Sequence, residues 1–166
     1  MKIFESNDKT AISELYYAFA RSPFAETLTA CTPDGICFAG FVTDGGRAAA
    51  LADLSRRFPA ARLLESGDAA VDIFSQVESI HLVGTDFQRR VWHALLTVES
   101  GETLSYSQLA ERAGVPRAVR AAASAVAANP LSIIVPCHRI IRNDGSIGKY
   151  FWGSELKKRL LEAERK

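Results

Sequence analysis

The run Ser105-Tyr106-Ser107-Gln108-Leu109-Ala110-Glu111-Arg112-Ala113-Gly114-Val115-Pro116-Arg117-Ala118-Val119-Arg120 starts a helix, stops it and starts another. Ser105 and Gln108 stand at capping-box spacing, where each side chain satisfies a backbone N–H that the first helical turn leaves unpaired. Gly114 supplies the helix stop, and Pro116, with no N–H to lose, suits the first position of the next helix. Two short helices joined by a glycine-containing turn make a helix-turn-helix candidate. The second helix is expected over 116–128. Wound at about 100° per residue, Val119, Ala122, Ala123 and Val126 gather on one side, and Arg117, Arg120, Ala121, Ser124 and Ala128 on the other. The second face is small apart from its arginines, so a nucleic-acid backbone can approach it closely. An Ala-rich packing helix with solvated arginines would carry the same pattern.

Downstream lies Ile133-Ile134-Val135-Pro136-Cys137-His138-Arg139. The three apolar residues are expected to form a buried strand, which Pro136 ends by removing a ladder donor. Directly after it, a thiol stands beside an imidazole. A cysteine becomes a nucleophile by losing its proton to a nearby base, but adjacency alone decides little, because neighbouring side chains often diverge. Asn143-Asp144-Gly145-Ser146 reads as a turn, and Gly148-Lys149-Tyr150-Phe151-Trp152-Gly153 as an aromatic loop hinged by glycines. A helix is expected over 154–166, with Leu156, Leu160, Leu161 and Ala163 as its buried face. Glu164 falls between Leu160 and Leu161 in angle, so it points inward. A buried carboxylate needs a partner, and a histidine near the thiol would be one.

Upstream, Gly84-Thr85 looks like a domain boundary. Thr85 and Gln88 repeat the capping-box spacing, and Phe87, Val91, Leu95 and Val98 recur at helical intervals until Gly101. Earlier still, Thr32-Pro33-Asp34-Gly35 is turn chemistry between two apolar runs, 28–31 and 36–42, which predicts a β-hairpin. An amphipathic helix follows over 47–58, then a short helix over 69–78 and a strand over 79–83. Residues 11–22 read equally as a helix or a strand. The result is a small α/β unit with no catalytic constellation of its own.

At 166 residues, 48% hydrophobic and 23% charged, the chain has the composition of a globular protein with a real core. It shows no secretory leader and no apolar run long enough to cross a bilayer, so a soluble, cytoplasmic protein is expected. The cysteines Cys31, Cys37 and Cys137 are odd in number and fit no zinc template. Cys31 and Cys37 are expected to be small buried hydrophobes; neither a metal nor a cofactor is expected. Charge divides unevenly: residues 1–82 carry 7 Lys/Arg against 11 Asp/Glu, and residues 83–166 carry 13 against 8. A basic second half fits an acidic partner such as nucleic acid, or simply a solvated basic surface.

Several motifs then fall in one order: Gly84-Thr85-x-Phe87-Gln88-x-x-Val91-Trp92, Gly101-Glu102-Thr103-x-Ser105-Tyr106, Arg117-Ala118-Val119-Arg120, Asn129-Pro130, Pro136-Cys137-His138-Arg139 and Gly145-Ser146-x-Gly148-x-Tyr150. Together they resemble the signature of the O6-alkylguanine-DNA alkyltransferases, also called methylated-DNA–protein-cysteine methyltransferases, across essentially all of 84–164. The resemblance implies an α/β N-terminal domain over 1–83 (a small β-sheet with helices, ribonuclease-H-like) and a mostly α, winged helix-turn-helix-like domain over 84–166. It implies DNA repair by direct reversal, with Cys137 taking the alkyl group irreversibly from O6-methylguanine, and from O4-methylthymine, after base flipping. His138 would be a water-mediated base, Glu164 would complete the relay, Asn129 would brace the turn at the site, and Tyr106 would protonate the departing base. Arg120 would fill the gap left in the duplex, with Arg117, Ala121, Ser124 and Arg139 also facing DNA. Tyr106, Ile140, Lys149, Tyr150, Phe151 and Trp152 would line the base pocket. Ser132 and Phe151 stand where the family varies, and Trp152 is expected to narrow the pocket against benzyl-type groups. The partner would be double-stranded DNA containing O6-alkylguanine, approached from the minor groove by a monomer; no membrane is involved. Some relatives carry a further metal-binding regulatory domain, for which this chain is expected to have no room. Damage recognisers of the same fold without repair activity lack the acceptor cysteine, which is present here. A transcriptional regulator would use the helix-turn-helix alone.

Overall fold

The computed structural model describes residues 1–165. The chain divides into two compact units, the first made of Met1–Thr85 with Pro130–Ile134, and the second of Asp86–Asn129 with the remaining described residues.

The first unit is a mixed sheet built on the predicted hairpin. Strands β1 (Lys2–Ser6), β2 (Glu14–Ala20), β3 (Thr27–Thr32), β4 (Gly35–Phe41), β5 (Arg62–Glu65) and β6 (Ser79–Val83) lie in the order β1-β6-β4-β3-β2-β5. β2, β3 and β4 pair antiparallel in sequence; β1 with β6, β4 with β6, and β2 with β5 pair parallel. Gly35 closes the hairpin at φ +148°, and a Cβ there would meet the Ser79 carbonyl oxygen at 2.7 Å, so only glycine fits. The central strands are apolar on both faces, because helix α1 (Gly46–Arg57) also buries against the sheet: Leu54, with Phe58 just beyond the helix, packs on Leu15, Leu28, Ala30, Cys37 and Phe38. Cys37 is thus a core residue and Cys31 a half-buried one.

Three expectations change here. The ambiguous 11–22 region is a strand, β2, because its partners on both sides are strands. No α-helix forms over 69–78: a single 3₁₀ turn spans Gly67–Ala69. Beyond it the Asp72 carboxylate accepts from the Phe74 N–H (3.0 Å), a local bond that competes with helix formation. The run before Cys137 is not a strand either. Ala39 donates to the Pro130 carbonyl (2.8 Å) and accepts from the Ser132 N–H (2.9 Å), and this lone bridge places Pro130–Ile134, expected in the second domain, in the first unit. The Ile134 N–H then bonds back to the Ser132 carbonyl (2.8 Å), closing a γ-turn with Ile133 at φ +69°. A β-branched residue there is strained by about 1–3 kcal/mol.

The second unit holds helices α2 (Asp86–Leu96), α3 (Tyr106–Arg112), α4 (Val119–Ala127) and α5 (Ser154–Glu164), and a small parallel pair, β7 (Leu104–Ser105) with β8 (Ile140–Ile141). The Ser105/Gln108 capping box is formed in both directions, at 3.1 and 2.8 Å. Gly114, at φ +74°, ends α3 with the paired bonds of a Schellman motif, Gly114 N–H to the Glu111 carbonyl and Val115 N–H to the Ala110 carbonyl. A further turn, Ala118 N–H to the Val115 carbonyl, delays α4 to Val119, three residues later than Pro116 suggested. Ala122, Ala125 and Val126 form its buried stripe, against α2 and α3, and Trp92 of α2 donates its indole N–H to the Ala125 carbonyl (2.8 Å). In α5 the buried residues are Leu156, Lys157 and Leu160; Ala163 is exposed, contrary to expectation. No helix among the described residues is long and apolar enough to cross a membrane.

Candidate active site

Cys137 begins a 3₁₀ turn, Cys137–Arg139, within the second unit. Its N–H bonds to the Val135 carbonyl (2.8 Å), a tight turn that Pro136, at φ −81° and ψ 66°, is shaped to make. The Asn129 side chain clamps the same Val135 carbonyl from the end of α4, at 2.8 Å and fully buried. A thiol is thereby held rigidly at the wall of a cavity of about 310 Å³. The other lining residues are Tyr106 from α3, Ala123, Val126, Ala127 and Asn129 from α4 and its end, Lys149, Tyr150, Phe151 and Trp152 from the aromatic loop, and Lys157 from α5.

Burial pushes the Cys137 thiol up, while hydrogen bonds from the Asn129 and Tyr150 side chains and the Lys157 charge act against it. Burial likewise raises the Tyr106 phenol, with the Cys137 charge adding to this, so Tyr106 is held as a proton donor. The loop is packed upon itself: Trp152 meets Tyr150 at 5.3 Å and Phe151 edge-on at 5.0 Å between ring centroids.

His138 is completely buried. Its Nε2 donates to Glu164 Oε1 at 2.9 Å, while Nδ1 has no hydrogen-bond partner among the described residues. Glu164 accepts also from Arg139 Nε (3.0 Å) and Nη2 (2.8 Å), and Arg139 Nη1 reaches the Val98 carbonyl (2.6 Å). Burial by itself would raise the Glu164 carboxyl; the bonds from His138 and Arg139, and their charges, overcome it and hold it down to about 2. An ionised carboxylate fixed by a bidentate guanidinium is a rigid anchor for an imidazole.

Of the residues expected at the site, Cys137, Asn129, Tyr106, Lys149, Tyr150, Phe151 and Trp152 line one cavity, and His138 and Glu164 are hydrogen-bonded to each other. Two assignments are corrected. Arg139 does not face outward: its side chain is 15% exposed and engaged by Glu164 and Val98, because a carboxylate beside a buried imidazole draws the nearest guanidinium inward. Ile140 does not line the cavity: it is fully buried, paired in β8, and only its carbonyl points toward the site, accepting from Lys157 (2.6 Å). The proposed DNA-facing residues Arg117, Arg120, Ala121 and Ser124 are exposed, with Arg117 on the turn before α4 and the others on the helix. The residue sequence reasoning missed is Lys157. It precedes Glu164 by two helical turns, so the wheel that turned Glu164 inward turns Lys157 inward too.

The family model described as "6-O-methylguanine DNA methyltransferase, DNA binding domain" matches residues 86–166. The chain is 38% identical over 165 residues to the bifunctional transcriptional activator/DNA repair enzyme Ada of Escherichia coli, covering 89% of this chain and 45% of that protein. It is 40% identical over 123 residues to the inducible methylated-DNA–protein-cysteine methyltransferase of Bacillus subtilis, covering 67% of this chain and 69% of that one. Among solved structures, the Mycobacterium tuberculosis OGT crystallised in complex with DNA superposes with a TM-score of 0.67 at 32% identity, over 90% of this chain and 92% of that one. The chain spans about half the length of most of the curated relatives it matches.

Proposed function

The chain belongs to the methylated-DNA–protein-cysteine methyltransferase family, and from that premise we propose that it repairs O6-methylguanine in duplex DNA by a single, irreversible methyl transfer to Cys137. One observation carries the reading: a buried thiol and a buried imidazole sit in one turn, and the imidazole is anchored through Nε2 on an ionised carboxylate while its Nδ1 is left unpartnered. A buried ring nitrogen without a partner is costly unless a water fills it. A water at Nδ1 would carry the Cys137 proton to His138, and Glu164 would stabilise the imidazolium that results.

The reaction follows from these groups. The Cys137 thiolate attacks the methyl carbon, a carbon–sulfur bond forms, and the carbon–O6 bond breaks with its electron pair staying on guanine. Tyr106, held protonated, supplies a proton to the departing base. The product thioether is not hydrolysed, so each molecule acts once, without metal or diffusible donor. The base must leave the stack to reach the cavity, at a cost of a few kcal/mol. Arg120, exposed on α4 among small residues, is the group to fill the gap from the minor groove. The finer architecture belongs to the same reading: a ribonuclease-H-like domain over 1–83, and a winged helix-turn-helix-like domain over 84–166 in which α3 and α4 are the two helices.

Incubation with duplex DNA carrying O6-methylguanine, followed by peptide mass mapping, is expected to place one methyl group on Cys137 per molecule, with no turnover beyond one equivalent. Tight lesion binding with Cys137 unmodified would overturn the reading in favour of a damage recogniser. Arg120→Ala is expected to slow repair of the duplex lesion on the order of tenfold or more, equivalent to about 1.4 kcal/mol of lost flipping assistance. Reaction with the free alkylguanine base should be nearly unchanged, and equal losses on both substrates would rule out the flipping role.

A further inference from the structure

The parallel pair of β7 and β8 aligns Leu104 with Ile140 and Ser105 with Ile141. The next residues in that register are Tyr106 and Arg142, so the phenol assigned as proton donor and an arginine start from neighbouring backbones. A tight turn fixes the backbone at Arg142: its N–H bonds to the Ser146 carbonyl (3.0 Å), and its carbonyl accepts from the Gly145 N–H (3.0 Å). The side chain then crosses Gly148, where a Cβ would stand 3.4 Å from Arg142 Cγ and 3.5 Å from its Nε. The stem thus lies along bare backbone just before Lys149 and Tyr150, which line the cavity. Its charge is felt on two walls. Burial and the Cys137 charge raise the Tyr106 phenol of α3, and the Arg142 charge works against them; at Lys157 of α5 the same charge adds to the lowering by burial. Among the described residues no salt bridge holds the guanidinium. Asp144, a carboxylate that feels its charge, is bonded to the Ser146 N–H (2.9 Å) and hydroxyl (2.6 Å).

We propose that Arg142 is a positioning residue for release of the base: laid across Gly148 beside Tyr106, it stabilises the phenolate left when Tyr106 gives up its proton. The inference rests on Cys137 being the methyl acceptor and Tyr106 the proton donor, and it deepens that reading by naming what offsets the cost of the proton transfer. As the carbon–O6 bond breaks, its electron pair stays on guanine and the Tyr106 proton moves to the base. The phenolate then faces the guanidinium until it takes a proton from solvent. A half-buried phenol resists ionising, so a fixed cation beside it acts where the charge develops. Cys137, Lys149, Tyr150 and Lys157 share the cavity with Tyr106, and α4 adds no charged side chain to the lining. All of them remain in every variant below.

The test compares wild type, Arg142→Met and Arg142→Lys on duplex DNA carrying O6-methylguanine, on the free alkylguanine base, and on methyl iodide, whose iodide leaves without a proton. Arg142 is exposed, so its truncation should leave the fold intact. In Arg142→Met the Tyr106 ring, followed by NMR and assigned with Tyr106→Phe, is expected to titrate about one pH unit higher. Transfer from duplex and free base alike is expected to slow by about fivefold, because a proton partly transferred in the transition state feels part of that shift. Alkylation of Cys137 by methyl iodide should be unchanged. Arg142→Lys keeps the charge and is expected to recover most of the rate. A Tyr106 inflection that does not move would overturn the proposal. So would a loss confined to duplex DNA, the pattern of a phosphate contact, and so would equal slowing with methyl iodide, which would place the effect on the sulfur. Tyr106→Phe reacting as fast as wild type would refute the donor role on which the inference rests. Failure of wild-type protein to accept a methyl group would refute the repair reading itself, independently of the titration.

Discussion

Cys137→Ser is expected to bind duplex DNA carrying O6-methylguanine as tightly as wild type and to accept no methyl group from it. In the proposed transfer the attacking species is a thiolate, which burial disfavours and which Asn129, Tyr150 and Lys157 favour against that burial. A serine hydroxyl in the same place titrates far above it, and neither His138 nor the positive charge of Lys157 closes that gap. Folding should survive the change. The hydroxyl is similar in size and can accept from the same Asn129 and Tyr150 donors, so the stability cost should stay within about 1.5 kcal/mol. Binding should survive because Arg117 and Arg120, the exposed cations of the α4 region, are untouched. The measurement pairs a methyl-transfer assay with a binding titration and a thermal melt. Residual transfer would point to another acceptor, and Cys31, half-buried in the first unit, would be the thiol to examine. Loss of binding and folding together would mean that Cys137 is structural.

Glu164→Gln is the second large expected effect, and it separates charge from shape. Gln preserves an oxygen for the His138 Nε2–H but removes the negative charge that an imidazolium needs, and it gives Arg139 a neutral partner in place of a bidentate one. Transfer is expected to slow on the order of 10²-fold, the scale on which a positioned base contributes. Stability should fall by roughly 2–3 kcal/mol, as expected for hydrogen bonds to a charged, largely buried group. The pH dependence has a definite sign. The folded Glu164 carboxyl lies near 2, below its ordinary value of 4.5, so its contribution is fully present above 4.5 and is lost as pH falls toward 2. Melting temperatures followed downward from pH 5 should therefore decline less steeply in Glu164→Gln than in wild type. Parallel acid limbs for the two proteins would contradict the assignment of that carboxylate as an ionised anchor.

Much of the site was legible in the sequence because its signals are local or periodic. The Ser105/Gln108 capping box, the Gly114 stop and the Thr32–Gly35 turn are set by backbone groups within a few residues, and no tertiary contact was needed to read them. Glu164 was legible from the α5 wheel, and Lys157 should have been, since it occupies the same angle; a lysine was assumed to seek water.

What the sequence by itself determined is the hairpin, the α3–turn–α4 unit and the inward turn of Glu164, all carried by spacing and capping chemistry; the grouping of Cys137, His138, Glu164 and Asn129 came from the resemblance to the family. Only the tertiary structure decided the rest. Whether 11–22 became strand or helix depended on β3 and β5 offering unpaired edges. Whether Ile133–Val135 extended or turned depended on Ala39, nearly a hundred residues away, capturing Pro130 and Ser132. Arg139 and Lys157 carry the same charge on equally flexible stems. Their fates were set by which acceptors folding placed within reach, a carboxylate with a carbonyl for one and two carbonyls beside a thiol for the other. Short-range geometry is written in residue spacing; the partner that satisfies a buried charge is chosen only when distant segments meet.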